Sequence, residues 1–211
     1  MTNKSSEGGL SYKKLNIELD ESVLRKILRY QPSDDTYLML DSLARYRGKS
    51  ALEIGIGSGV ILRELSKRFS VVVGTDIDYA ALSFCNQSND VEADLVCCDG
   101  AKALATTQKY DLIVSNPPYL PFDDNDIFDR TIYGGIIGSE TAIEFLKSTI
   151  CLLRQHGAIL ILLSSLSNLS QFYREVALLG LSRRTISRKK LFFETLLVEE
   201  ISFFHQSVHN E

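Results

Sequence analysis

Long apolar runs, a secretory signal and paired cysteines are all missing from this 211-residue chain. No apolar run reaches the roughly 18 residues of a membrane span, and the polar N-terminus lacks the apolar core of a signal peptide. The cysteines show no C-x-x-C spacing and have no histidine pair beside them; they are Cys85, Cys97, Cys98 and Cys151. We therefore expect a cytoplasmic protein with reduced thiols, no metal site and no membrane contact.

The chain also lacks a large excess of charge. Lys and Arg number 23 and Asp and Glu number 27, so the formal net charge is −4. This balance argues against a protein that holds nucleic acid by bulk electrostatics, although a local basic patch would escape the count. With 45% hydrophobic residues and no repeats or low-complexity tracts, the sequence predicts a folded domain with its own core.

Short apolar runs alternate with helical stretches from residue 50 onward. The predicted strands are Ala51–Ile54, Val71–Thr75, Asp94–Cys97, Leu112–Ser115 and Ala158–Leu163, and the predicted helices cover residues 59–69, 79–89, 101–105, 140–155 and 168–179. Apolar strands separated by helices are typical of a parallel sheet with helices on both faces. Two later strands, 181–188 and 193–204, are close in sequence and predict an antiparallel hairpin at the sheet edge. The predicted fold class is an open α/β sheet.

The residues before this alternation have a different pattern. The first 15 are polar and predict a tail, and two helices follow. Asp20 is the expected N-cap of the first helix and Ser33 that of the second, with Gly48 as the stop. We therefore divide the chain into a tail and helical cap or lid over residues 1–48 and one main domain over residues 49–211.

A glycine-rich turn follows the first strand, in the segment Glu53-Ile54-Gly55-Ile56-Gly57-Ser58-Gly59. Glycines there allow a tight turn and a close approach of the backbone to a ligand. Their even G-x-G-x-G spacing differs from the dinucleotide fingerprint, and the Lys-Ser or Lys-Thr of a phosphate-binding loop is missing. The Glu53 carboxylate would repel a pyrophosphate and suits a ligand with a positive amino group. The alternative is a loop that is merely rich in glycine.

Carboxylates follow the next two strands. Asp76 lies 17 residues after Gly59, about where an acidic residue binds the two hydroxyls of a ribose, and its alternative role is a helix N-cap. Asp99 precedes Gly100 and can accept a hydrogen bond from an adenine amino group; the alternative is an ordinary Asp-Gly turn. With the glycine-rich turn, these residues predict an adenosine-containing ligand without phosphates.

The tetrapeptide Asn116-Pro117-Pro118-Tyr119 follows the fourth strand and is the predicted substrate-binding site. Two prolines fix φ and remove two N–H donors, so the backbone offers rigid carbonyls. Asn116 and the Pro117 carbonyl can accept the two hydrogens of a planar –NH2 group while Tyr119 stacks on its plane. We therefore predict catalysis by Asn116, Pro117 and Tyr119, which hold a poor nitrogen nucleophile beside an activated methyl group. The alternative is a structural X-Pro-Pro loop.

In combination, these motifs resemble the class I S-adenosylmethionine-dependent methyltransferases, and within them the HemK-related release-factor glutamine methyltransferases. The segment Tyr30-Gln31-Pro32-Ser33-Asp34-Asp35-Thr36 resembles the stretch that closes over the cofactor in the short archaeal and eukaryotic branch. The likeness implies that Thr36 touches the carboxylate end of the cofactor. Gln31 departs from the Glu that is frequent there, and Ile136 and Ile137 replace polar residues of the family's Gly-rich substrate loop.

The resemblance carries further expectations. It implies a Rossmann-like, seven-stranded sheet whose last strand is antiparallel, and methyl transfer to the glutamine of the Gly-Gly-Gln loop of a translation release factor. A small zinc-containing activator protein is the implied partner, and S-adenosyl-L-methionine, leaving S-adenosyl-L-homocysteine, is the implied cofactor. The residues expected to bind it are Thr36, Glu53, Gly55, Gly57, Gly59, Asp76, Asp99, Gly100 and Asn116.

Three observations bear on the substrate. An enzyme that methylates the exocyclic amine of adenine in DNA or RNA would use the same tetrapeptide, but it also needs base flipping and a basic channel. The connection over residues 120–139 predicts a substrate-gating loop or a disordered segment, and its acidity suits a basic protein surface better than DNA; the acids are Asp123, Asp124, Asp126 and Asp129. The basic cluster is either a solvated strand face or a contact with nucleic acid; it comprises Arg183, Arg184, Arg188, Lys189 and Lys190.

The last predicted strand, 193–204, and the residue before it contain a group of apolar side chains. These apolar residues are predicted to be core, and they are Phe192, Phe193, Leu196, Leu197 and Val198.

Overall fold

A computed structural model describes residues 32–88, 91–123, 127 and 129–204. The strands of the described chain are β1 (Gly48–Ile54), β2 (Phe69–Asp76), β3 (Asp94–Cys97), β4 (Tyr110–Ser115), β5 (Leu153–Ser164), β6 (Leu181–Lys190) and β7 (Thr195–Phe203). The helices of the same residues are α1 (Asp34–Ser42), α2 (Val60–Ser66), α3 (Tyr79–Gln87), α4 (Glu140–Thr149) and α5 (Leu169–Leu178).

The strands form one seven-stranded sheet in the order β3-β2-β1-β4-β5-β7-β6. Strands β1 to β5 pair in parallel, whereas β7 is antiparallel to both of its neighbours. The predicted open sheet with an antiparallel last strand is therefore confirmed. The predicted hairpin is confirmed as well, with β6 at the edge and β7 inside the sheet.

The core lies on both faces of the sheet. Ala51 and Leu112 belong to one apolar cluster, and their chain neighbours Leu52 and Ile113 belong to the other. This alternation follows from the two-residue repeat of a strand, and burial on both faces explains why the strands are almost continuously apolar.

The helix predicted over residues 140–155 is too long. Helix α4 ends at Thr149, a 3-10 turn covers Ile150–Leu152, and β5 already begins at Leu153. Because Leu152 and Leu153 are both buried, the apolar pattern continues across the change of conformation and hides it. The helix predicted over residues 101–105 is also wrong, since this segment forms turns.

Helix α1 begins after Ser33, as predicted, but ends at Ser42 rather than at Gly48. The Ser33 hydroxyl bonds the Asp35 carboxylate and not the helix backbone. Gly48 instead opens β1, where an added Cβ would lie 3.0 Å from Cε1 of Phe69. The helix capped by Asp20 lies outside the described residues, so the division between residues 48 and 49 stays a prediction. Within the described ranges, no helix is long and apolar enough to cross a membrane.

The β6–β7 turn contradicts one core prediction. Leu196, Leu197 and Val198 are buried, but Phe192 is 92% exposed and Phe193 is 84% exposed. The Leu191 N–H donates to the Glu194 carbonyl oxygen at 2.8 Å and closes the hairpin, so the residues between them project beyond the sheet.

Candidate active site

The carboxyl ends of three adjacent strands define the site. Ile54 at the end of β1 pairs with Thr75 of β2 and with Ser115 of β4. The Ser115 hydroxyl donates to the Ile54 carbonyl oxygen at 3.1 Å and joins two of these ends. The strand order reverses at β1, and open α/β sheets bind ligands in the crevice at such a point.

The glycine-rich turn crosses from β1 to α2. Gly55, Gly57 and Gly59 have φ values of 74°, 50° and 73°, which other residues adopt only with strain. The Gly55 N–H donates to the Thr75 carbonyl oxygen at 2.8 Å, so the turn is anchored on β2. At Gly59 a Cβ would also lie 2.7 Å from the Cys85 sulfur, and this glycine is therefore required by packing as well as by conformation.

Asp76 fastens the same turn from the end of β2. Its Oδ2 accepts the Gly57 N–H at 3.0 Å, and its Oδ1 accepts the Asp78 N–H at 2.8 Å. The alternative role of Asp76 as a helix N-cap is wrong, because Asp78 caps α3 by accepting the Ala80 N–H at 2.9 Å. Burial raises the pKa of Asp76, although the backbone hydrogen bonds oppose this shift.

Glu53 lies beneath this turn and is buried. Its Oε2 atom has no hydrogen-bond partner among the described residues. Burial, together with the nearby Asp76 charge, raises the pKa of Glu53 well above its ordinary value. A buried carboxylate that lacks a partner is costly when ionised, so this position would be stabilised by a cationic group.

Asp99 and Gly100 form a turn on the opposite wall. Gly100 is buried with φ of 57°, and the Cys98 thiol donates to its carbonyl oxygen at 3.3 Å. The Asp99 side chain is half exposed and forms an ion pair with Lys102. The Asp-Gly turn is thus present, and the carboxylate stands beside the cleft.

The tetrapeptide forms the floor after β4. The Asn116 Oδ1 atom is buried without a hydrogen-bond partner among the residues that the structure describes, and Pro117 is buried next to it. Tyr119 is half-buried; burial raises its pKa, and the negative charges of Asp35 and Glu194 add to the shift. Tyr119 is therefore a neutral phenol at physiological pH.

A second loop holds the tetrapeptide in place. The Gly134 N–H donates to the Leu120 carbonyl oxygen at 3.0 Å, and the Leu120 N–H donates to Ile132 at 3.1 Å. A Cβ at Gly134 would collide with the carbonyl oxygens of Pro118 and Gly138. This close backbone contact argues against disorder in the described part of the 120–139 connection, and its role in substrate gating stays a prediction. Residues 124–126 and 128, with Asp124 and Asp126, lie outside the described chain.

These elements enclose a cleft of about 650 Å³. The predicted residues that line it are Thr36, Gly55, Gly57, Asp76, Asp99, Gly100 and Asn116 to Tyr119. Glu53 and Gly59, which were also predicted, do not line the cleft. The cleft thus brings the residues predicted to bind the cofactor together with the tetrapeptide predicted to bind the substrate. The roles of the single residues stay predictions.

The Methyltransferase small domain family matches residues 31–176, which is more than half of the chain. The chain belongs to this family. A Methanocaldococcus jannaschii protein named for protein N5-glutamine methyltransferase activity is 30% identical over 177 residues, covering 80% of this methyltransferase and 89% of the relative. The human methyltransferase HEMK2 is 28% identical over 186 residues, covering 80% and 87%.

Solved structures agree with this assignment. The Mtq2–Trm112 complex of E. cuniculi, described as responsible for methylation of the translation termination factor eRF1, matches with a TM-score of 0.69 and 27% identity. The match covers 83% of this methyltransferase and 98% of that chain. NodS of Bradyrhizobium japonicum, solved with S-adenosyl-L-homocysteine, shares only the fold, at a TM-score of 0.60 and 13% identity. The resemblance to HemK-related methyltransferases is therefore confirmed.

Several cleft residues of the methyltransferase escaped the sequence analysis. Ile77, Cys98 and Phe145 line the cleft without having been predicted to do so. Arg130 to Gly135 also line it, and of these Tyr133 to Gly135 belong to the segment over residues 133–138 that resembles the family's Gly-rich substrate loop. Ile77 and Cys98 directly follow β2 and β3, so their position after a strand could have predicted them. Phe145 comes from the middle of α4, and no local pattern distinguishes it from a core residue.

The basic cluster on β6 is largely neutralised. Arg183 pairs with Glu199 at 3.4 Å, Arg184 with Glu200 at 2.8 Å, and Lys189 with Asp34 at 2.9 Å. Because acidic partners on β7 and α1 compensate these charges, the basic cluster is better explained as a solvated strand face than as a contact with nucleic acid.

A second depression, of about 1040 Å³, lies at the opposite end of the sheet. It is more open than the cleft, and its charged groups are engaged: Arg154 pairs with Asp111 at 3.0 Å, and the Lys109 ammonium donates to the Cys151 carbonyl oxygen. We place the active site of the methyltransferase in the smaller cleft, where the strand ends and the family motifs meet.

Proposed function

We propose that this methyltransferase transfers a methyl group from S-adenosyl-L-methionine to the side-chain amide of a glutamine, in the Gly-Gly-Gln loop of a translation release factor in the cytoplasm. The observation that carries the proposal is the unsatisfied hydrogen-bond acceptor of the Asn116 side chain. Its buried Oδ1 lacks a partner among the described residues, and it stands next to Pro117 and Pro118, which have no N–H groups, so the backbone offers only carbonyl acceptors there. Two rigid acceptors suit the two hydrogens of a planar amide.

The residues of the cleft suit the cofactor. S-adenosyl-L-methionine, when bound, supplies an electrophilic methyl group on a positively charged sulfur. Glu53 does not line the cleft, but it directly precedes the lining residues Ile54 and Gly55, and a cationic group nearby would favour the ionised form of its buried, unpartnered carboxyl group. Asp76 provides carboxylate oxygens at the cleft wall for ribose hydroxyls. We assign the adenine end to Asp99 and Gly100 and the carboxylate end to Thr36, at the N-terminus of α1.

The chain's own residues then account for the activation of the amide. Asn116 Oδ1 and the Pro117 carbonyl accept the two N–H hydrogens, which raises the electron density on the nitrogen and aims its lone pair. Tyr119 stays protonated because of its raised pKa and offers an uncharged ring face. Holding the reactants in one orientation is worth about 7–11 kcal/mol. The nitrogen becomes acidic as it gains the methyl group and the methyl–sulfur bond breaks, so its proton passes to solvent water without a strong base.

An adenine exocyclic amine has the same planar –NH2 group and is the second candidate. The acidic lining of the cleft argues against it, because the carboxylates of Asp35, Glu140 and Glu144 would repel a phosphate backbone. The relatives named for N5-glutamine and eRF1 methylation support the amide.

By the same likeness we propose a small zinc-containing activator protein as the partner. The E. cuniculi relative was solved as a complex with Trm112. Strand β3 pairs only with β2 among the described strands, so its free edge is open to strand addition.

The test is a labelled-cofactor assay. Purified methyltransferase, alone and with an activator subunit, receives radiolabelled S-adenosyl-L-methionine with a release factor, the same factor with Gln replaced in its Gly-Gly-Gln loop, DNA or tRNA. We expect label only in the unaltered release factor. Label in nucleic acid alone would overturn the proposal.

Glu53 supplies a pH-dependent prediction. Because its pKa is raised in the folded, cofactor-free protein, the free energy of unfolding should fall as pH rises above 4.5, the ordinary value. The Glu53→Gln variant lacks this loss, so it should be more stable than the parent at pH 8, with a difference that shrinks toward pH 5. It should also bind S-adenosyl-L-methionine about 10- to 100-fold more weakly, as expected for a lost charged hydrogen bond.

Urea unfolding at several pH values and calorimetric titration with the cofactor measure both effects. Glu64→Gln is the matched control, since Glu64 lies on the surface of α2 in an ion pair with Arg68 at 2.5 Å. An unchanged cofactor affinity in the Glu53→Gln variant would show that Glu53 does not contribute to cofactor binding.

A further inference from the structure

Two exposed phenylalanines stand at the tip of the β6–β7 hairpin. Phe192 and Phe193 are 92% and 84% exposed, and their rings meet edge to face with centroids 4.6 Å apart. Exposed aromatic side chains of this size are among the commonest anchors of protein interfaces, and the mutual ring contact already restricts their motion.

The hairpin tip lies at the same end of the sheet as the cleft. Ser164, the last residue of β5, pairs in register with Leu196 near the start of β7. The Ser164 hydroxyl donates to the Glu194 carboxylate at 2.5 Å, and the Ser165 N–H donates to the Thr195 carbonyl oxygen at 2.9 Å. The turn is therefore fixed to the carboxyl end of β5, one strand away from the strand that carries the tetrapeptide.

The hairpin is also joined to the cap over the cleft. Lys189 pairs with Asp34 at 2.9 Å, and the next residues of α1, Asp35 and Thr36, line the cleft. Glu194 lies close enough to Tyr119 for its charge to raise the pKa of that phenol. The phenylalanines thus stand beside the mouth of the active site.

Two further exposed apolar side chains lie on loops that are hydrogen-bonded in succession to this hairpin. Leu166 follows β5, and Ile136 belongs to the loop that holds the tetrapeptide. The two loops are joined because the Asn168 N–H donates to the Ile137 carbonyl oxygen at 2.9 Å. We call Phe192, Phe193, Leu166 and Ile136 the apolar rim.

We propose that the apolar rim, with Phe192 and Phe193 as its anchor, docks an apolar surface of the folded protein substrate beside the methylated glutamine. The inference rests on the proposed function. The rim adjoins the cleft, so a folded substrate that presents its glutamine there would lie against it. The carboxylates that line the cleft and the ion-paired Arg183 and Arg184 of β6 disfavour a nucleic acid, whereas an apolar protein surface needs no compensating charge.

The test separates docking from chemistry. The double variant Phe192→Ser/Phe193→Ser is assayed with intact release factor and with a short peptide that contains Gly-Gly-Gln. For the intact factor we expect KM to rise about tenfold or more, with kcat and cofactor affinity unchanged, as when interface anchors are removed. For the peptide we expect kcat/KM to match the parent. The Phe192→Leu/Phe193→Leu variant should recover most of the loss.

Phe204→Ser is the matched control. Phe204 is also exposed, but it follows the opposite end of β7, so its loss should leave both substrates unaffected. A KM for intact release factor that stays unchanged in the double variant overturns the docking role, as does loss of the activator complex or an equal loss with peptide. If the parent methyltransferase labels no release factor at all, the proposed function has failed instead.

Discussion

Replacing Asn116 with alanine should lower kcat for methyl transfer by about 10²- to 10³-fold, the cost of removing one oriented polar group from a reacting centre. The Asn116 Oδ1 atom is buried and lacks a partner among the described residues, so its contribution is made only when an amide occupies the cleft. S-adenosyl-L-methionine affinity should change little, because Glu53, Asp76 and the glycine-rich turn remain. Single-turnover kinetics and calorimetry measure the two quantities.

The stability of this variant gives an independent check. Removing a buried acceptor that has no partner should leave the free energy of unfolding nearly unchanged or raise it. Asn168→Ala is the matched control: Asn168 Oδ1 accepts the Gln171 N–H at 3.0 Å as the N-cap of α5, so stability should fall by about 0.5–2 kcal/mol with full activity. An Asn116→Ala variant that keeps normal turnover would refute the proposed mechanism.

Gly134→Ala should impair both activity and stability. The added Cβ collides with the carbonyl oxygens of Pro118 and Gly138, and backbone atoms cannot move away as the end of a flexible side chain can. Overpacking of this kind costs about 1–3 kcal/mol. The displaced tetrapeptide would hold the amide incorrectly, and a misplacement near 1 Å costs about 10²-fold in rate. We therefore expect kcat to fall by about 10²-fold and the free energy of unfolding to fall by at least about 1 kcal/mol.

Gly180→Ala separates these effects from the general cost of losing a glycine. Gly180 has φ of 66° and no atom within 4 Å of an added Cβ, and it precedes β6 far from the cleft. Its replacement should cost about 1–2 kcal/mol through backbone strain alone and leave kcat intact. Equal loss of kcat in the two variants would show that Gly134 has no special link to the tetrapeptide.

The inner parallel strands were predictable from sequence because burial on both faces makes them nearly unbroken apolar runs, whereas the edge strands β3 and β6 are partly exposed. The prediction for β3, Asp94–Cys97, has the observed bounds, and β4 differs only by Tyr110 and Asp111 at its start. Sequence could not place the end of α4, since buried leucines lie on both sides of it. Nor could it place Phe192 and Phe193, because an apolar pair within an apolar stretch looks like core until the hairpin closes at Glu194.

The site was predictable to the extent that its residues directly follow strands. Asp76 is the last residue of β2 and Asn116 directly follows β4, at the edge where the parallel strands bring their carboxyl ends together. The contacts that depend on distant segments were not predictable. Gly134 against Pro118, Lys189 against Asp34 and Glu194 against Ser164 each join residues that no local pattern relates.

The position of β7 inside the sheet constrains how the chain is assembled during synthesis. Strand β6 hydrogen-bonds only to β7 among the described strands, and β7 is made after it. Until Thr195–Phe203 have left the ribosome, β6 has no strand to pair with and β5 presents an open apolar edge. Such an edge is a site of association with other chains. A ribosome stalled before residue 195 would therefore hold a chain in which all the cleft motifs have been synthesised. Its sheet would still lack β7, and β6 would have no strand to pair with.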